Sequence, residues 1–365
     1  MKSDVFNQSS VLILKCAYMH YIKDYSLGDI AASLGVSIST VSRLLKRAKE
    51  EKYIEFVIRD RHLDCITASV KLKERFALKD VLVVPTPDKA LAEMAPENYA
   101  ETARKLVAME GARYLQRIIR PDDILGITWG RTVHDLVYYL NPCRKVEADF
   151  VTLHGSLACC EHELDVMTLV RKIAMAFGGR KHYLLAEAQM SNSFLVESIK
   201  KEKSIEKIFS MFDKVTIAVN SVAVLYPQTT SILANPSYLS TEELKELKRR
   251  NVRAAITVRF IDDQGQECRT DLKKRTLAID LADFKKIRTK ITVAAGEGKR
   301  EAVLAALKGG FVDVLIIDNE LAGALTQTLP DASNAAARQG TQSNQPTGGV
   351  KNVFGSRTGT TARSC

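Results

Sequence analysis

Residues 26–55 read SLGDIAASLGVSISTVSRLLKRAKEEKYIE, two short helical patterns that meet at one glycine. Ile30 and Leu34 share a face of the first pattern, and Ala31 is small where a second helix must cross closely. Gly35 supplies the left-handed conformation that ends a helix, Val36 begins a tight turn, and Ser37 is suited to cap the second helix. In that second pattern Val41, Leu44 and Leu45 point inward, which leaves Ser39, Thr40, Ser42, Arg43, Lys46 and Arg47 on or near the outer face. A helix that only packs needs no small hydroxyls and cations outside. A recognition helix entering the major groove of DNA does need them. Its hydroxyls, Ser37 included, can bond base edges or phosphates, Arg43 can fork onto a guanine, and Lys46 and Arg47 can hold the backbone. The competing reading, a tight helical pair used for dimerisation, accounts for the inner residues alone.

Around this motif the chain divides into regions. Residues 1–60 read as a mostly helical DNA-binding domain of the helix-turn-helix type. Its apolar run VLILKCAYMHYI reads as a buried first helix, and YIEFVIRD at its end alternates like a strand. Residues 61–80 form a linker helix with Ile66, Val70, Leu72 and Phe76 near helical spacing. From 81 to 329 short apolar runs alternate with helical patterns: VLVVP (81–85), ILGITW (124–129), FVTLHG (150–155), KHYLLA (181–186), KVTIAVN (214–220), RAAITVRF (253–260), ITVAAG (291–296) and DVLIID (313–318). That alternation marks an α/β domain with a mostly parallel, doubly wound sheet, which binds ligands at the carboxyl ends of its strands. Residues 330–365 are a polar tail with few large apolar groups, expected to be disordered.

Composition narrows the class of protein. A chain of 365 residues with 46% hydrophobic and 26% charged residues is ordinary for two soluble domains. The apolar run near the start is too short to span a bilayer and lacks the marks of a secretory signal, so a cytoplasmic protein without membrane partners is expected. The net charge of +10 concentrates, relative to length, in the two ends of the chain and permits polyanion binding without specifying it. The seven cysteines include no CxxC pair, and His154, Cys159, Cys160 and His162 lack zinc spacing, so neither disulfides, a metal nor a cofactor is expected.

Three strand–helix junctions in the larger domain carry polar chemistry. ILGITWGRTV places Gly130, Arg131 and Thr132 at one, FVTLHGSL places Gly155 and Ser156 at a second, and VAAGEGKREAVLAAL places Gly296, Gly298 and Lys299 at a third. Backbone amides at a helix start, a hydroxyl and a cation together suit a small anionic or polyhydroxy ligand; plain structural turns are the alternative. No catalytic residues are assigned. His154 and His162 lack an acid partner or nucleophile, Asp262 and Asp263 in IDDQGQE read as a hairpin turn, and Lys299 reads as an electrostatic contact rather than a Schiff-base lysine. Trp129 either floors a pocket or packs.

Taken with KLKERFALKDVLVVP, SYLSTEELKEL and VAAGEGKREAVLAALKGGFVDVLIIDNELAGAL, these motifs resemble the SorC family of bacterial sugar-responsive transcription regulators over most of residues 10–328. The resemblance implies an N-terminal DNA-binding domain and a Rossmann-like doubly wound effector domain similar to sugar-phosphate isomerases and deaminases. It also implies a homo-oligomer, dimer or tetramer, whose affinity for operator DNA changes with a phosphorylated sugar. By position it assigns Gly130, Arg131 and Thr132 to one effector loop, Gly155 and Ser156 to a second, Asn220 and Ser221 to a strand end, and Gly296 and Lys299 to a third loop. One departure stands out: Ala254–Ala255 occupy the place of a usual Gly-Asp, removing a carboxylate expected at sugar hydroxyls. An effector-independent regulator and a sugar-phosphate enzyme are the alternative functions.

Overall fold

Small side chains decide where the N-terminal helices start and stop in the computed structural model of the protein, which describes residues 8–54, 62–87, 93, 95–157, 163–226, 231–236 and 238–327. The chain divides into two units, 1–63 and 64–365. The first holds α1 (Gln8–Tyr21), α2 (Leu27–Leu34) and α3 (Ile38–Glu50). Ser26 caps α2 by accepting from the Asp29 amide at 3.2 Å and donating to its carboxylate at 2.7 Å. Gly35 ends α2 at φ 64°, a backbone conformation that costs other residues about 1 kcal/mol or more. Ser37 then caps α3 through the Thr40 amide at 3.1 Å. Ile30 and Ala31 of α2 pack with Val41, Leu44, Leu45 and Ala48 of α3 and with Ile13, Cys16 and Ala17 of α1. Each fully buried branched aliphatic contributes roughly 1.5–3 kcal/mol.

The expectation of a buried first helix holds for one face only. Val11, Leu14 and Tyr18, at helical spacing along α1, are 42–54% exposed. YIEFVIRD from residue 55 onward, Cys159, Cys160 and His162, and the tail from 330 lie outside the described residues.

In the second unit the elements run α4 (Leu63–Phe76), β1 (Asp80–Val84), α5 (Pro96–Ile118), β2 (Ile124–Ile127), α6 (Arg131–Tyr138), β3 (Asp149–Thr152), α7 (Val166–Phe177) and β4 (Arg180–His182). Then come α8 (Ser193–Lys200), α9 (Lys203–Phe212), β5 (Ile217–Asn220), β6 (Ala223–Val224), α10 (Thr241–Arg249), β7 (Val252–Ile256) and β8 (Arg259–Asp262). The chain closes with α11 (Asp271–Arg275), α12 (Leu281–Lys286), β9 (Thr289–Ala294), α13 (Arg300–Lys308), β10 (Val314–Asp318) and α14 (Asn319–Gln327). Seven strands form one parallel sheet in the order β1-β10-β9-β5-β2-β3-β4, and β6-β7-β8 form a small antiparallel sheet. Both faces of the parallel sheet are covered: Phe150, Phe177 and Leu136 belong to one apolar cluster, and Leu153, Phe284 and Phe311 to the other. This is the doubly wound architecture that the strand–helix alternation predicts.

RAAITVRF differs from its reading as one strand. It is a hairpin, β7 and β8, that reverses through Thr257 at φ 49° and Val258 at φ 66°. Positive φ at both central residues is the primed turn that matches strand twist, normally made by Asn and Gly. Two β-branched residues there store strain on the order of 1–3 kcal/mol each. KHYLLA contributes only Lys181 and His182 to the short edge strand β4.

Candidate functional site

On α3 the residues singled out in the sequence lie where the spacing places them. Ser39, Ser42, Arg43, Lys46 and Arg47 are exposed and Thr40 is half-buried. Ser37, also exposed, is within 2.8 Å of the Ser39 hydroxyl and 2.9 Å of Thr40 Oγ1, so the helix start carries a knot of three hydroxyls. Arg47 is forked onto Glu51 at 2.9 and 2.6 Å, and Lys46 lies 3.7 Å from Glu50. Arg43 reaches only the Thr40 hydroxyl, at 3.5 Å. Among the described residues no carboxylate pairs with it, so it is the cation most ready to meet a base edge. The sequence reading passed over Ile38, which is 56% exposed at the start of the same helix; an apolar group there suits a thymine methyl.

The second constellation is a cavity of about 460 Å³ in the larger unit. Strand order turns between β2 and β5, and the segments leaving the carboxyl ends of β2, β5 and β9 line the cavity with Trp129–Gly130, Ser221–Val222 and Ala295–Gly296. That is the crevice an open α/β sheet offers to ligands. Gly130 precedes α6 with no side-chain cap, and Gly130, Arg131 and Thr132 all line the cavity, so the first-turn amides open onto it. Lys299 reaches in from the short helix after Gly296 and donates to Ser221 Oγ at 3.1 Å. Burial, reinforced by the Arg131 and Arg104 guanidiniums, depresses the Lys299 ammonium to about 8, against a partial opposing pull from Asp318. Asp318 is itself engaged, accepting from the Gly296 amide at 2.5 Å and the Leu321 amide at 2.9 Å.

Arg104 was missed. It lines the cavity from α5 and is held by Asp135 at 2.7 Å. Nothing around it in the sequence signals this, because only the docking of α5 brings it beside Arg131.

Six of the nine sequence-assigned effector residues therefore meet in one place: Gly130, Arg131, Thr132, Ser221, Gly296 and Lys299. Gly155, Ser156 and Asn220 do not line the cavity. A Cβ at Gly155 would sit 2.3 Å from the Ala186 carbonyl oxygen, a close backbone approach that by itself calls for glycine. Ser156 donates to Asp165, which also caps α7. Asn220 is fully buried in the sheet, where its oxygen accepts from Thr292 Oγ1 at 3.2 Å and its amide nitrogen finds no partner among the described residues. These three form the frame behind the cavity. His154 belongs to the same frame. Its Nε2 accepts from the Trp129 amide at 3.0 Å and its Nδ1 donates to the Gly155 carbonyl at 2.6 Å, and burial lowers its pKa to about 4. It is a neutral imidazole fixed in one tautomer and sealed from the cavity.

Among the described residues no cluster of His, Cys, Asp and Glu has metal-binding geometry, and no helix is long and apolar enough to cross a membrane.

A recognition-type helix in one unit and a cation-lined crevice at the carboxyl edge of a parallel sheet in the other define a ligand-responsive DNA-binding regulator. Comparison with known proteins agrees. Residues 60–327 match the sugar-binding family described as "Putative sugar-binding domain", and residues 18–51 match region 4 of sigma-70. The chain is 30% identical over 320 residues to the deoxyribonucleoside regulator of Bacillus subtilis (strain 168), covering 87% of this chain and 98% of that one. It is 29% identical over 316 residues to the sorbitol operon regulator of Klebsiella pneumoniae, covering 85% and 96%. The crystal structure of full-length SorC from Klebsiella pneumoniae aligns with a TM-score of 0.67 at 26% identity, over 87% of this chain and 99% of that one. The chain belongs to the SorC family of transcriptional regulators, and it is a regulator rather than an enzyme.

Proposed function

We propose that this regulator binds operator DNA through the exposed face of α3 and senses a phosphorylated sugar, or a related anionic metabolite, in the β2–β5–β9 cavity. The observation that carries the effector half is convergence: Arg104, Arg131 and Lys299 meet beside the uncapped start of α6, and no Asp or Glu lines the cavity among the described residues. Three cations and a helix N-terminus without a lining counter-charge suit a phosphate dianion. On the DNA side, Ser37, Ser39, Thr40, Ser42 and Arg43 would read or orient, with Lys46 and Arg47 on phosphates.

The protein would act in the cytoplasm as a homo-oligomer. The exposed apolar rows Val11, Leu14 and Tyr18 on α1 and Ile66 and Val70 on α4 support self-association. A symmetric pair of α3 helices would read half-sites about 34 Å apart. Effector control then arises from differential affinity for two quaternary arrangements, with a coupling of about 1–3 kcal/mol. The test is binding of the purified protein to its own promoter DNA, titrated first with salt and then with sugar phosphates. Salt-sensitive, sequence-preferring binding that a sugar phosphate alters is the expected result. Sequence-specific binding indifferent to every phosphate ester would remove the effector half, and no specific binding would remove the α3 half.

A further inference from the structure

We propose that the cavity selects an anionic ligand whose body is poor in hydroxyl groups: a phosphate head on a largely deoxygenated or alkyl carbon chain, in preference to a phosphorylated polyol. This rests on the phosphate-head reading given above and adds what the other half of the cavity will accept. Away from Arg104, Arg131 and Lys299, the walls are Trp129, Leu164, Val224, Leu233, Ala255 and Val258.

A sugar hydroxyl buried in a cavity is held best by a carboxylate or amide oxygen, and the described lining side chains offer only single hydroxyls. None is Asp, Glu, Asn or Gln. Of the lining hydroxyls, Thr257 and Thr128 spend their protons on the Ile256 carbonyl at 2.7 Å and the Trp129 carbonyl at 3.3 Å, so each offers a ligand only one weak acceptor oxygen and no donor. Ser221 Oγ accepts from Lys299, and Ser231 Oγ accepts from the Leu233 amide at 3.2 Å. Thr132 sits at the cationic end, where a phosphate would claim it.

The backbone enforces this polarity. Strand alternation on β7 turns Ala254 into the main core and Ala255 toward the cavity, and the strained Thr257–Val258 turn holds the Val258 side chain in the wall. A hydroxyl left without an acceptor there lowers affinity roughly tenfold. A methylene in the same place raises it by about fourfold.

The experiment is calorimetric titration of the full-length protein with two five-carbon monophosphates, pentyl phosphate and ribitol 5-phosphate. They share the dianion and the chain length and differ in four hydroxyls. Pentyl phosphate is expected to bind at least tenfold more tightly, and Lys299→Ala to weaken both. Ala255→Asp, which adds an acceptor to the wall, is expected to narrow or reverse the preference. Ribitol 5-phosphate binding as tightly as pentyl phosphate, with both still dependent on Lys299, would overturn the body preference and leave the anion site standing. Failure of both esters to bind, or binding unaffected by Lys299→Ala, would sink the anion site, and the preference with it. The wild-type ligand pair decides the matter even if Ala255→Asp does not fold.

Discussion

The molecule carries two groups of cations that solve opposite problems. Arg43, Lys46 and Arg47 stand along the exposed side of α3, two of them already leaning on Glu50 and Glu51 one turn away. Arg104, Arg131 and Lys299 converge on a crevice lined by no carboxylate among the described residues. In the first group water screens each charge, the helix needs no support to present it, and the contributions to a polyanion simply accumulate. In the second, like charges are held together partly out of water, and the depressed Lys299 pKa shows the cost. Such a cluster persists only because a rigid frame imposes it, and an anion bound there, as proposed, would relieve it. The exposed row is therefore expected to be additive and robust, and the cavity to be cooperative and dependent on the residues that frame it.

The frame is where the largest effect is expected. His154 has a folded pKa of about 4 against an ordinary 6.5. As pH falls, the unfolded chain takes up the proton first, so stability that is full above 6.5 is lost progressively down to about 4, by ~3 kcal/mol in total. Urea unfolding tracked by the fluorescence of Trp129, the only tryptophan, should show that loss, and His154→Gln should flatten it. A wild-type profile level from pH 7 to 4.5 would mean that the imidazole is not locked as drawn.

Next comes Lys299→Ala, expected to lower phosphate-ester affinity by roughly 10- to 100-fold while leaving operator binding intact. The pH dependence has a definite sign. The amine must be charged to hold the anion, so affinity is retained below about pH 8 and declines above it. Stability of the unliganded protein moves the other way. With the folded pKa below the ordinary 10.5, the unfolded state binds the extra proton between those values, and stability rises with pH across that window. Affinity and apo stability changing in parallel would break the assignment.

Arg43→Ala tests the exposed row. A guanidinium forked onto one base contributes about 1–3 kcal/mol, and its loss should relax sequence preference at that base without altering the melting temperature. Gel-shift titration on an operator and its single-base variants reads both. Unchanged discrimination would move the reading face elsewhere.

The same contrast explains what the sequence disclosed. The α2–α3 pair was legible because its determinants are local: the cap at Ser37, the left-handed Gly35, and inward residues at fixed spacing all lie within some thirty positions. The parallel sheet was legible as strand–helix alternation, and Gly130–Arg131–Thr132 and Gly296–Lys299 as junctions. Arg104 was hidden because its partners, Asp135 and Arg131, lie a helix and a strand away. Thr257–Val258 was hidden because two β-branched residues carry no turn signal, and only tertiary packing holds them at positive φ. Gly155 was ambiguous for a related reason: a glycine after a strand reads the same whether a ligand or, as here, the Ala186 carbonyl approaches it. Local rules recover the exposed row almost whole and the cavity only in part.

Lys46→Ala is the smallest effect and the strictest check on additivity. Lys46 is 77% exposed and its pairing with Glu50 spans 3.7 Å, an interaction typically worth about 0.3–0.5 kcal/mol. A lysine on a phosphate carries no sequence information, so its removal should weaken operator and non-operator DNA by the same factor. The slope of log affinity against log salt should become shallower by about one. Combined with Arg43→Ala, the two losses should sum, since neither side chain bonds the other. If the double variant loses much more or much less than that sum, or if Lys46→Ala alters sequence preference, the exposed row is a coupled network, and the contrast with the cavity is one of degree.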